Sequence, residues 1–269
     1  VRHEMATTLG FENYIPLGYL RMQRVDYDQH DVERFRAQVR EQLVPLAVAR
    51  REVQRGRLGL DALFFWDEGV SSPDGGPVPP GDAAWLVEEG REAFAEIHPD
   101  LGRFADMMTE GGFLDLTPRP GKAGGGFCTS FDEYGVPFVF ANFAQTATDV
   151  RVFLHEMGHA FQAWSARDAE MSELIWPTFE SAEIHSMSLE FLAYPQIDRL
   201  MGAGADAYRA EHLEGALLFI PYGVAVDHFQ HLVYANPTAT PAARHKMWRE
   251  MEETYVPWRR YGPLEHPAM

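Results

Sequence analysis

His155-Glu156-Met157-Gly158-His159 is the densest concentration of potential chemistry in the chain. Histidines four apart project from one face of a helix, so His155 and His159 can aim two imidazole nitrogens at a single metal ion. Glu156 is turned about 100° from His155 on the same helix. That places it beside a bound metal rather than on it, where it can act on metal-activated water. Chance supplies a His-acid-x-x-His only about 0.07 times in a chain of this composition. The neighbours Val150, Phe153, Leu154, Met157 and Phe161 imply a largely buried helix. Two histidines and a carboxylate are costly there without a partner, and a metal is such a partner.

A catalytic zinc site with one position open to water uses three protein ligands, so a third is expected downstream. A metzincin would carry Gly at 162 and His at 165; the chain has Gln162 and Ser165, which excludes that class. The segment from Phe179 to Glu190 offers carboxylates instead: Glu180, Glu183 and Glu190, at steps of three and seven, share roughly one helical face. One can ligate while the others orient histidines through hydrogen bonds. Spacing alone does not choose among them; Glu183 is favoured. Acidic residues on a helix are ordinarily solvated, but Ile184, Met187, Leu189, Phe191 and Leu192 suggest a helix buried on several sides.

These residues need a frame. Apolar periodicity predicts a long amphipathic helix over 31–55, carrying Val32, Phe35, Val39, Leu43, Leu46 and Val53 and bent at Pro45. The Pro- and Gly-rich stretch 71–81 reads as a loop. Asp82 then caps a helix with Trp85, Leu86, Phe94 and Ile97. A shorter helix follows, with Leu101, Phe104, Met107 and Met108, ended by Gly111-Gly112. Between about 124 and 143 the period drops to two: Phe127, Thr129 and Phe131, a turn at 132–135, then Val136, Phe138, Phe140 and Asn142. This is a β-hairpin, with Pro137 suited to an edge. The HExxH helix is expected over about 149–167 and the Glu-bearing helix over about 178–193. Asp206 starts a long apolar segment interrupted by Pro221, and Thr240-Pro241 starts a last helix. The fold class is mainly α with a small antiparallel hairpin, a zincin-like (gluzincin) catalytic unit. No linker or repeat divides it, so 1–269 is expected to form one catalytic region.

With 23 Lys+Arg against 40 Asp+Glu, the net charge of −17 argues against nucleic acid and against an anionic membrane. The longest apolar stretch, 215–226, contains a proline and is too short to span a bilayer. Cys128 is the only cysteine, so no internal disulfide forms; a reducing, cytoplasmic setting is expected. The first residues show neither an apolar signal region nor an initiator Met, as expected of a processed or partial chain. Only Lys122 and Lys246 are lysines, which reads as coding bias. Nucleophilic hydrolysis fares badly: no GxSxG occurs, and Cys128 has no adjacent histidine. Gly121-Lys122-Ala123 lacks the remainder of a Walker loop.

The sequences 155–162 (HEMGHAFQ) and 183–191 (EIHSMSLEF) resemble the zinc oligopeptidases of the oligoendopeptidase F and thimet oligopeptidase type, nearest the bacterial oligoendopeptidase F branch. The likeness extends over 9–13, 121–129, Ile220-Pro221-Tyr222-Gly223, 227–231, Tyr234 and Asn236-Pro237. It implies one zinc ion per chain on His155, His159 and Glu183, with Glu156 as general base, and an oligopeptide substrate. It also implies that the substrate lies extended along an edge strand matching Gly124 to Thr129, with Gly124, Gly125, Gly126 and Phe127 as substrate-binding residues. Glycine permits the close backbone approach and an edge offers unpaired amides; a flexible loop would look the same in sequence. The family enzymes are longer at both ends, and their C-terminal part supplies a Tyr and a His that bind substrate, with no counterpart here. Tyr222, His228 and His231 are the nearest local candidates for those roles. The expected activity is metal-assisted hydrolysis of peptides. The rival is a zinc-binding but catalytically incomplete module. Manganese or cobalt could replace zinc on such ligands.

Overall fold

In the computed structural model, residues 1–262 are described. The chain divides into two compact units: one comprises Val1–Gly75 and the chain from Leu213 onward, the other Gly76–His212. One boundary falls in the Pro- and Gly-rich loop. The other falls inside a helix, which is why no linker is visible there.

The first unit begins with α1 (Arg2–Thr8), α2 (Tyr14–Arg21) and α3 (Gln29–Gln38). A π-helical turn, Val39–Leu43, then leads into α4 (Val44–Arg57). The bend expected at Pro45 takes this form: proline has no N–H to continue the ladder, and the wide turn absorbs the missing bond. The extra residue also rotates the apolar face. Val39, Val44 and Ala47 are buried, whereas Phe35, Leu46 and Val53 are exposed, contrary to the simple helical period.

The second unit holds the HExxH segment. Asp82 caps α5 (Ala83–Ile97), accepting from the Trp85 amide at 3.0 Å. Next come α6 (Pro99–Glu110), strand β1 (Leu114–Asp115), strand β2 (Phe127–Phe131) and strand β3 (Val136–Phe140). Gly135, at φ 62°, closes the hairpin turn. β2 and β3 pair antiparallel as expected, but β1 pairs parallel with β3, so the sheet is mixed and ordered β1-β3-β2. The two-residue β1 carries too little pattern to be read from sequence. Pro137 therefore sits in the central strand, not at an edge. The amides of Val139 and Ala141 donate to Phe113 and Asp115. By the two-residue period position 137 faces the same way, past the end of the β1 pairing, so the missing amide removes no bond of that ladder.

Helix α7 (Ala147–Ala166) follows, and the Asp149 carboxylate fixes its start by accepting the Ala144 and Thr146 amides, each at 2.8 Å. Then come α8 (Phe179–Leu192) and α9 (Ile197–Met201). Val150, Phe153, Leu154, Met157 and Ala160 of α7 are buried with Leu86, Phe94, Phe104, Met108 and Val139. Burying each large apolar side chain contributes about 1.5–3 kcal/mol, which anchors α7 between the sheet and the α5–α6 pair. Gly90 is required here: a Cβ would come 2.3 Å from the Phe153 ring. Finally α10 (Ala205–Ala235) runs unbroken through Pro221 and across the unit boundary, and α11 (Pro241–Tyr255) is capped by the Thr240 hydroxyl. Among the described residues, no helix is long and apolar enough to cross a membrane.

Candidate metal centre and peptide site

α7 and α8 approach so closely that only small residues fit at the contact. A Cβ on Gly158 would lie 2.7 Å from Ser186 Cα and 2.8 Å from the His185 carbonyl oxygen. Ser186 is fully buried opposite it. The glycine between the two histidines is thus a packing requirement, one that the sequence reading passed over.

This contact brings the ligand candidates together. Glu183 Oε2 lies 3.0 Å from His155 Nε2 and 3.5 Å from His159 Nε2. Donor atoms of these three residues all fall within 4.8 Å of one another, the one such cluster among the described residues. Zinc bonds of about 2.0–2.1 Å in a tetrahedron set donors about 3.3 Å apart, and the two Glu183 separations bracket that value. Two imidazoles and one carboxylate suit a borderline-soft divalent ion. The Ser186 hydroxyl, 3.0 Å from Glu183 Oε2, helps hold the carboxylate. Glu180 is outside the cluster. Glu190 is buried and meets His155 from the other side of the ring, with Oε1 2.7 Å from Nδ1. A carboxylate only accepts, so Nδ1 carries the proton and Nε2 presents its lone pair. The three acids that spacing left equivalent therefore occupy different environments.

The other oxygen of Glu190 is bound by His212 Nε2, and His212 Nδ1 lies 2.8 Å from the Tyr194 hydroxyl. Neither residue was singled out from sequence. The available signal was a histidine starting the apolar stretch of α10, spaced 22 residues from its partner carboxylate.

Burial alone depresses His155, but the Glu190 hydrogen bond and the charges of Glu190, Glu183 and Glu156 outweigh it and hold its pKa above the usual histidine range. His159 is pushed down by burial, against the pull of Glu183, and the charges of His155 and His185 add to the depression. Burial pushes the Glu156 carboxyl up, against the pull of His155 and reinforced by Glu183. Burial works against the charge on Glu190 too, yet hydrogen bonds from His155 and His212 keep it below the ordinary value. Two buried carboxylates thus differ in proton affinity, with Glu156 the more basic relative to its ordinary value.

Beside α7, β2 forms one edge of the sheet. Cys128 on this strand is pushed up to about 12, chiefly by burial and also by the charge of Glu156. Gly124, Gly125 and Gly126 lead into β2, and Phe127 is half exposed. Nothing lies within 4 Å of the Cβ positions of Gly124 and Gly125, and Gly125 has φ +92°. The stretch is held in shape: Asn142 donates to the carbonyls of Ala123 and Gly125, both at 3.0 Å. The nearly buried Lys122 ammonium reaches the carbonyls of Ala141 (2.7 Å), Asp115 (3.0 Å) and Thr117 (3.1 Å). Lys122 has a structural role that its scarcity did not suggest.

One expectation changes. α8 is buried along one side only: Leu189 is covered, but Ile184 and Leu192 are each 61% exposed. Tyr222 and His228 lie in the other unit. There the Tyr222 ring meets Trp248 edge-on, and His228 Nδ1 pairs with the Tyr255 hydroxyl at 3.0 Å. His231 pairs with Tyr19 and Arg36.

Residues 90–268 match the profile of Peptidase family M3. The chain belongs to that family. Its fold is shared with a structure described as an oligoendopeptidase F (47% identity, TM-score 0.94) and with PZ peptidase A bound to an inhibitor (46%, 0.95). An oligoendopeptidase F from Bacillus anthracis is also similar (44%, 0.92). These alignments cover 95–97% of the chain but only 46–47% of each of those proteins, so it spans about half their length. The comparison with curated proteins gave no match.

Proposed function

We propose that this M3 peptidase chain is a zinc-dependent endopeptidase of the gluzincin type that hydrolyses short peptides, with His155, His159 and Glu183 as ligands and Glu156 as general base. The observation that carries the reading is the convergence of the three donor atoms beside a buried glutamate. A zinc ion held there supplies a Lewis acid for the scissile carbonyl and lowers the pKa of water to near neutrality.

The chain's own residues do the rest. Glu190 keeps the His155 proton on Nδ1. Glu156, made more basic by burial, accepts the proton of the attacking water and returns it to the leaving amine. The edge of β2 takes the peptide as an added strand, its backbone passing over Gly124, Gly125 and Gly126 beside Phe127. That geometry suits extended peptides rather than folded proteins. Tyr222 and His228 already have local partners, which favours structural roles for them.

The deciding experiment is metal analysis joined to peptide hydrolysis on the full 269-residue chain. About one zinc per chain is expected. Glu156→Gln should keep it and lose at least about a hundredfold in kcat, as expected for removal of a general base. Glu183→Ala should lose tight zinc binding. No zinc after reconstitution ends the proposal. Zinc without chelator-sensitive hydrolysis limits the chain to binding.

A further inference from the structure

We propose that His212 is a positioning residue that holds the Glu190 carboxylate in the one orientation from which it fixes the ring and tautomer of His155. The inference rests on the zinc-site reading above. His155 can offer Nε2 to a metal only while its proton sits on Nδ1, and Glu190 Oε1, 2.7 Å away, is the acceptor that keeps it there. That contact depends on the last torsion of the glutamate, which is broad when unrestrained. His212 Nε2 binds the second oxygen, Oε2. With both oxygens engaged by imidazoles, the carboxylate plane cannot turn without losing a hydrogen bond.

His212 is itself immobilised. Its side chain is 4% exposed. The ring lies nearly parallel to Tyr208, at 10° with centroids 5.8 Å apart, and 4.7 Å from the Phe191 ring. The Tyr194 hydroxyl sits 2.8 Å from Nδ1. Glu190 Oε2 only accepts, so the His212 ring proton sits on Nε2 and Nδ1 is left to accept from the Tyr194 hydroxyl, which also lies 3.3 Å from the Arg209 carbonyl oxygen. Nε2 donates to Glu190 Oε2, Glu190 Oε1 accepts from His155 Nδ1, and His155 Nε2 is left unprotonated. A histidine that merely filled space would need no polar partner on each nitrogen. The outer partners of metal-binding histidines commonly affect affinity by 10–100-fold, and His212 stands one bond further out than Glu190.

The test is zinc affinity by competition with a chelator, together with the visible spectrum of the cobalt(II)-loaded protein, on the full chain. His212→Leu should weaken zinc about tenfold and shift the cobalt d–d bands. His212→Gln can still donate an amide N–H to the same oxygen, so it should recover affinity to within about threefold of wild type with an unshifted spectrum. Tyr194→Phe keeps the ring, loses only the hydroxyl, and should weaken zinc measurably but less than His212→Leu. Circular dichroism and melting of the metal-free variants separate misfolding from local loss. If His212→Leu is unfolded, the other two variants decide. Wild-type affinity in both His212→Leu and Tyr194→Phe overturns the inference. So does a folded His212→Gln as weak as His212→Leu. Absence of zinc from the wild type overturns the metal-site reading and this inference with it, which is a distinct result.

Discussion

At the residue scale, burial divides the titratable groups by task. Glu156 and Glu190 are both buried, yet one is raised and the other lowered, because Glu190 receives hydrogen bonds from two imidazoles. The same burial silences Cys128. Its thiol is pushed from an ordinary 9.0 to about 12 by its apolar surroundings and by Glu156. The thiolate is the nucleophile, so at pH 8 the reactive fraction is roughly a thousandfold below that of an ordinary thiol. Iodoacetamide should therefore label native Cys128 at least about a hundredfold more slowly than the urea-unfolded chain. Equal rates would show that the thiol is neither buried nor near the carboxylate, and β2 would not lie where the proposed peptide site needs it.

At the element scale, the decisive feature is the contact of α7 with α8. Gly158→Ala puts a methyl where the Ser186 backbone stands 2.7 Å away, and neither backbone can yield as a flexible side chain would. The helices should separate, costing about 1–3 kcal/mol and pulling Glu183 away from both histidines. The metal-free variant should unfold at lower urea, and its zinc affinity should fall by more than the stability loss accounts for. A variant with unchanged affinity would mean that the ligands converge without this contact. What could be read in sequence follows from range. His155, Glu156 and His159 sit on one helix, so spacing alone placed them together. The choice among Glu180, Glu183 and Glu190 needed the rotation of a second helix about the first. His212 and Tyr194 lie on neither, and no local period points to them. The hairpin was legible because alternation is local. β1 and the central place of Pro137 were not, because a parallel pairing is set by distant chain. The π-turn before Pro45 likewise rotated the exposed and buried residues of α4 away from their expected faces.

At the scale of the molecule, each unit has its own apolar core. That of the second unit runs from Leu86 to Tyr208, and the first unit has separate clusters around Val39 and Tyr14. All the proposed zinc ligands belong to the second unit. A metal that binds only the folded form adds about 2.7 kcal/mol at a hundred times its dissociation constant, and it adds this to the unit that holds it. It also ties α7 to α8, whose outer side is poorly covered. Calorimetry with and without zinc should therefore show an upward shift in the melting of the wild-type chain. The shift should be absent in His159→Ala, which keeps the cores and loses one ligand. If two transitions are resolved, only the one reported by Trp85 and Trp164 should move, while that reported by Trp248 and Trp258 stays. An equal shift in wild type and His159→Ala would place the stabilising metal elsewhere, among the many surface carboxylates of a chain whose net charge is −17. The histidine pair would then have lost its strongest physical justification for lying in a buried helix.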